Sequence, residues 1–338
     1  MAMNWKFAAA LGIATAALAT GAQADTLSVV KERGELICGT NSSLPGFADL
    51  QQDGTWKGFQ IDLCRGIAAA VLGDPNKASM RPVSAKERFT ALQSGEVDVL
   101  TWNATWTMNR DTALGARFVG VSFYDGQGFL VPDELGVEKP EDMAGLTACV
   151  GGGTTNERNI NDALVANGID LKIVTYQGLE NAVPAFDQGR CDALTTDISG
   201  LVSFRTKLTK PENYAIAPFA ISKEPLGPVV RQGDSAWESV VRWVMFSTIN
   251  AEELGLTRDN IASSMDSDKP AVRRFVGADG TLCTDIGLAP DCFAKVIGAV
   301  GNYGEIYDRH LGPDTKINLP RGMNRLWSKG GLLYAPPM

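Results

Sequence analysis

The chain has 338 residues, with 31 Lys and Arg against 39 Asp and Glu and a net charge of −8. That acidic balance argues against nucleic acid and anionic lipid as partners, since both are bound through excess positive charge. The length is long for one hydrophobic core and comfortable for two lobes.

The first residues read as an export signal. Met1–Lys6 carries one cation and no acid, and Phe7–Ala19 is an apolar run too short for a stable membrane span. Ala22-Gln23-Ala24 then places small residues where a signal peptidase reads. The alternative is a buried N-terminal helix. The spacing predicts cleavage after Ala24, so residues 1–24 are excluded from the fold. Nothing beyond Asp25 approaches the roughly 18 apolar residues of a membrane span, and the mature chain is expected to be soluble.

From there strands and helices alternate. Glu35–Thr40 reads as a strand, and Phe59–Leu72 as a helix that stops at Gly73. Ser79–Val83 is a second strand, Ala85–Ser94 a helix stopped by Gly95, and Val97–Trp102 a third strand. The grammar restarts after Pro140. Leu146–Val150, Lys172–Tyr176 and Cys191–Thr196 read as strands, interleaved with helices Thr155–Asn167, Leu179–Gln188 and Ile198–Leu208. Pro184 is expected to kink the second of those helices or confine it to its later half. The Pro/Gly-rich Lys223–Val229 marks a return, and Ser235–Leu254 is a strong amphipathic helix needing a core to cover. Gly277–Asp291 is loop-like, and Phe293–Gly301 and Leu326–Leu333 read as short helical or extended covers. Short strands separated by helices imply mostly parallel, covered sheets; two such units imply two lobes.

Six cysteines follow the signal, an even number that favours disulfides in an exported chain. Six allow fifteen pairings. Order along the chain suggests three local pairs: Cys38 with Cys64, Cys149 with Cys191, and Cys283 with Cys292. With no C-x-x-C and a single histidine, His310, a zinc site is not expected.

Three strand ends carry the chemistry. Trp102-Asn103-Ala104-Thr105-Trp106-Thr107-Met108-Asn109-Arg110 follows a buried strand, where open parallel sheets present ligand loops. The fork of Arg110 matches a carboxylate, although pairing with Asp111 or Glu87 at the surface is the plainer alternative. Gly151-Gly152-Gly153-Thr154-Thr155 leads from a strand into a helix, whose free N–H groups attract an anion. No Gly-Lys-Ser/Thr follows, which excludes a phosphate loop, while ordinary capping by Thr154 or Thr155 stays open. Asp197 follows a strand at a helix start and is either an N-cap or the carboxylate an ammonium ligand needs. One anion fork, one anion-binding helix start and one carboxylate complement a zwitterion, of which a free α-amino acid is the simplest. Catalytic groups are scarce: His310 has no nucleophile partner and is expected at the surface or in packing, Glu252-Glu253 is expected to be solvated, and Trp237 and Trp243 are expected in the core.

The segments GTNSSLPGF, WKGFQIDLCRGIAAAVLGDP, FTALQSGEVDVLTWNATWTMNRD, VGVSFYDGQGFLV, GGGTTNERN, GRCDALTTDISGL and ISKEPLGPVVRQGD resemble the polar amino-acid-binding proteins of bacterial ABC transporters (solute-binding protein family 3). They are more narrowly similar to the general L-amino-acid-binding branch. The resemblance runs from about Leu36 to Leu256, and GNYGEIYDRHLG extends it. It implies an α/β, two-lobed periplasmic-binding-protein-like fold (type II), with two mixed sheets flanked by helices and joined by a two-strand hinge. Lobe one would be residues 25–130 plus 227–338, and lobe two residues 131–226. It implies that Arg110 meets the α-carboxylate with main-chain groups of Thr154 and Thr155, and that Asp197 takes the ammonium with Asn103 and Thr105 beside it. Asn41 and Leu44 stand where relatives selective for basic side chains carry an acid and an aromatic, which favours broad neutral or polar selectivity. A periplasmic monomer without cofactor or metal is implied, delivering free L-amino acids to an inner-membrane ABC permease. The alternatives are a cyclohexadienyl-type dehydratase on the same scaffold, for which Glu87 is the one candidate acid, or an extracellular sensor domain.

Overall fold

The computed structural model describes Met1 and residues 25–338; apart from Met1, the expected export signal lies outside the described residues. Two five-stranded sheets organise the chain. The first has the order Ala78–Pro82, Leu36–Thr40, Val99–Leu100, Val229–Arg231, Ala116–Phe118. The second has the order Lys172–Tyr176, Thr147–Gly151, Ala193–Asp197, Gln127–Pro132, Tyr214–Ile216. In each, three parallel strands joined through helices are extended by antiparallel ones. Parallel pairing follows from the alternation of strand and helix, because a parallel neighbour is reached only through a crossover.

The chain passes between the sheets along Phe123–Asp125 and returns along Glu224–Leu226, and these two strands pair antiparallel with Asp125 opposite Glu224. The boundary expected at residue 131 falls inside the strand Gln127–Pro132, which pairs within the second sheet along its length. The run VSFYDGQGFLVP has no stop signal at the crossing, so the sequence pattern does not mark it. Near the return, a Cβ on Gly227 would lie 1.9 Å from the carbonyl oxygen of Gly120, so only glycine lets these two backbones pass so closely.

The helix Ser235–Leu254 covers the first lobe. It packs against helices Phe59–Leu72 and Cys292–Val300. Trp237 is fully buried there and its indole donates to the Asp98 carbonyl at 2.9 Å, while Trp243 is only partly covered. The disulfides join Cys38 to Cys64, Cys149 to Cys191, and Cys283 to Cys292. These are the local pairs suggested by chain order; the first ties the strand Leu36–Thr40 to the helix Phe59–Leu72, and the second ties the strand Thr147–Gly151 to the connection before Ala193–Asp197.

Several elements differ from the expected ones. Residues 85–87 form a turn, in which the Ser84 hydroxyl donates to Glu87 at 2.6 Å, and the helix begins at Arg88. The helix Leu179–Asp187 runs through Pro184 rather than being confined to its later half. Glu252 is not solvated: it accepts both arms of Arg321 at 2.7 and 3.0 Å. His310, by contrast, is in packing, one of its two expected places, with its Nε2 2.7 Å from the buried carboxylate of Asp62, which also receives Arg309. Burial alone would push Asp62 up, but the His310 hydrogen bond and these cations outweigh it and hold it below its ordinary value.

Candidate functional site

A cavity of about 320 Å³ lies where the strand ends of the two lobes face each other, and Asn41, Asn103, Thr105, Arg110, Thr154, Thr155 and Asp197 all line it. The lobes are in direct contact across it. Asn103 donates to Asp197 at 3.4 Å, the Thr105 and Thr155 hydroxyls are 3.1 Å apart, and Lys207 reaches the Ser43 carbonyl at 2.9 Å. This is a closed conformation.

Arg110 is buried rather than paired at the surface with Glu87 or Asp111. It sits in the short helix Met108–Ala113, capped by the Thr107 hydroxyl. Its guanidinium donates to the Thr105 carbonyl at 2.8 Å and lies 5.3 Å from the centroid of Phe89. Burial lowers it to about 10 against the pull of Glu224 and Asp197.

Asp197 ends a strand and opens the helix Ile198–Arg205, yet its side chain does not cap that helix. Asp125, on the connecting strand, takes that role by accepting the Ser199 hydroxyl at 2.5 Å and the Ser199 N–H at 3.3 Å. Asp197 is thereby free to face the cleft, where Asn156 at 3.1 Å and Asn103 at 3.4 Å donate to its two oxygens. Burial, and then the nearby carboxylates of Asp125 and Glu224, push Asp197 up to about 8. In the closed cleft this carboxylate needs either a proton or a cation.

The Gly-Thr-Thr turn is shaped by Gly153, whose φ of +75° and approach to the Lys86 side chain leave no room for a Cβ. Thr154 caps the helix Thr155–Ala163 with its hydroxyl, which accepts from the Glu157 N–H and donates to the Gly151 carbonyl. The side chain of Thr154 is therefore engaged in the turn itself. The Thr105 hydroxyl donates to Glu224 at 2.5 Å, which leaves its oxygen free to accept.

Glu224 was not singled out by motif. It is buried on the returning connector strand and accepts from Thr105 of one lobe, from Thr155 and Asn159 of the other, and from Ser222. Its signal was the acid inside Lys223–Val229, a stretch whose pattern marks only the return of the chain. Asn156 and Arg88 were also missed, and both line the cavity. Glu87, the one acid the sequence offered for a dehydratase, is exposed and does not line it.

Two α/β lobes closed over a cavity with a buried guanidinium and a buried carboxylate on opposite walls define a two-lobed solute-capturing protein of the type II periplasmic class. The chain belongs to the bacterial extracellular solute-binding proteins, family 3, whose profile matches residues 36–241. It is 48% identical to the general L-amino acid-binding periplasmic protein AapJ of Rhizobium johnstonii, over 99% of both chains. It is 46% identical to the glutamate/glutamine/aspartate/asparagine-binding protein BztA of Rhodobacter capsulatus, over 96% of this chain and 97% of that one. Among solved structures, a Brucella ovis ABC transporter periplasmic binding protein with glutathione bound superposes with a TM-score of 0.91 at 47% identity. The match covers 93% of this chain and 99% of that one. No helix among the described residues is long and apolar enough to cross a membrane.

Proposed function

We propose that the protein captures free L-amino acids in the periplasm and hands them to an ABC permease, accepting more than one side chain. The observation that carries this reading is the placement of Arg110 and Asp197 on opposite lobes of one closed cavity. The α-carboxylate is held by Arg110 and the free N–H groups at the start of Thr155–Ala163, and the ammonium by Asp197. Only the closed form gives a zwitterion both partners, so the ligand shifts the open–closed equilibrium by its differential contacts. The closed form is then what the permease recognises. The names of the Rhizobium and Rhodobacter relatives support amino acids as the ligand class. Glutathione, bound by the Brucella protein, carries the same α-amino acid head on its γ-glutamyl end and fits the same recognition.

Calorimetric titration with the twenty L-amino acids, on protein freed of signal after Ala24, is expected to show several ligands binding near micromolar, about 8 kcal/mol each. Deleting the gene should reduce uptake of those amino acids. Absence of binding by all twenty would sink the reading. Binding without any uptake defect would favour a sensor.

A further inference from the structure

The cavity contains a second buried cation besides Arg110. Arg88, the first residue of the helix Arg88–Ser94, is 3% exposed and lines the cavity. Its guanidinium lies 5.1 Å from the ring centroids of both Phe89 and Trp102. Its Nε has no hydrogen-bond partner, and no ion pair among the described residues includes it. Aromatic faces orient a guanidinium and attract it weakly, but they do not replace the water lost by a buried charge. Burial, and then repulsion from Arg110, push Arg88 well below the ordinary guanidinium range, with Asp197 the offsetting carboxylate.

Charge balance decides what completes this site. A zwitterion brings one anion for Arg110 and one cation for Asp197, and so consumes the carboxylate that offsets Arg88. Glu224 does not line the cavity, and its oxygens already accept four side-chain hydrogen bonds; Glu180 lines the cavity but is exposed, and it is not among the charges that act on Arg88. A ligand with an apolar side chain leaves Arg88 buried and unpaired, and a basic side chain adds repulsion. A second carboxylate on the ligand neutralises it.

We propose that Arg88 is the specificity-determining residue for the ligand's side chain and receives the distal carboxylate of a dicarboxylic L-amino acid, glutamate or aspartate. This rests on the head group lying between Arg110 and Asp197. The wild-type protein should bind L-glutamate at least about thirty-fold more tightly than L-norvaline, which has the same chain length without the distal carboxylate, in line with charge-assisted hydrogen bonds. In Arg88→Gln the ratio of glutamate to norvaline affinity should collapse at least about ten-fold, with Arg88→Lys intermediate. Equal affinity of the wild type for glutamate and norvaline overturns the proposal whether or not the variants fold. A preference for glutamate that survives in Arg88→Gln, with both ligands weakened alike, places Arg88 on the shared α-carboxylate and also overturns it. Failure of every amino acid to bind the wild type instead refutes the head-group reading, and this proposal with it.

Discussion

Arg110→Ala is expected to weaken amino-acid binding about a thousandfold while barely changing the stability of the ligand-free protein. The guanidinium is buried at the cavity wall with one arm committed to the Thr105 carbonyl. Its remaining donors meet the α-carboxylate, and charge-assisted bonds contribute roughly 1.5–3 kcal/mol each. Two of them give about 4 kcal/mol, the thousandfold stated. Folding loses one hydrogen bond and the stacking over Phe89, together about 1–2 kcal/mol. Ligand-free melting should therefore fall by only a few degrees. Arg110→Lys should restore little, because an ammonium cannot present the planar fork. Undiminished calorimetric affinity in Arg110→Ala would show that the carboxylate sits elsewhere.

Asp197→Asn should also abolish binding, but with an opposite effect on the empty protein. In the closed, ligand-free cleft Asp197 is pushed up to about 8 by burial and by Asp125 and Glu224, and opening the cleft to water removes part of that burial and lowers it again toward the ordinary aspartate range. A carboxyl whose pKa rises on closing takes up a proton when it closes. Closure of the empty protein is then favoured as pH falls and grows less favourable as pH rises toward about 8. The ligand's ammonium substitutes for that proton, which explains how binding drives closure at neutral pH. The amide variant carries no such penalty, so it should be more closed than wild type when empty. Small-angle scattering reads this directly: the wild-type radius of gyration should shrink on acidification without ligand, and the variant should be compact at pH 7. A variant as open as the wild type, with unchanged pH response, would contradict this account of closure.

The parts of the site visible in the sequence are those tied to strand ends. Arg110, the Gly-Thr-Thr turn and Asp197 each follow a strand of a parallel sheet, and parallel topology carries such ends to one edge. The residues that were not legible owe their roles to tertiary packing. Arg88 opens an ordinary helix, and nothing in its local sequence marks it as buried with its guanidinium over the rings of Phe89 and Trp102. Glu224 stands beside a proline where the chain returns, and its four donors come from residues 105, 155, 159 and 222, which only the tertiary fold assembles. Asp197 at a helix start reads as a cap until Asp125, 72 residues earlier in the chain, is seen to hold that helix end instead. The same limit explains Glu252, whose partner Arg321 lies far away in sequence.

The central claim is that one small ligand is held at both ends of its α-amino acid head, by Arg110 on one lobe and Asp197 on the other. The most direct measurement is titration of the wild-type protein with an amino acid that binds, followed by its N-acetyl and its α-carboxamide derivatives. The account predicts that blocking either end weakens binding by at least about a hundredfold, the loss of one charge-assisted contact with its partner left buried. Binding of either blocked derivative as tightly as the parent amino acid would contradict it.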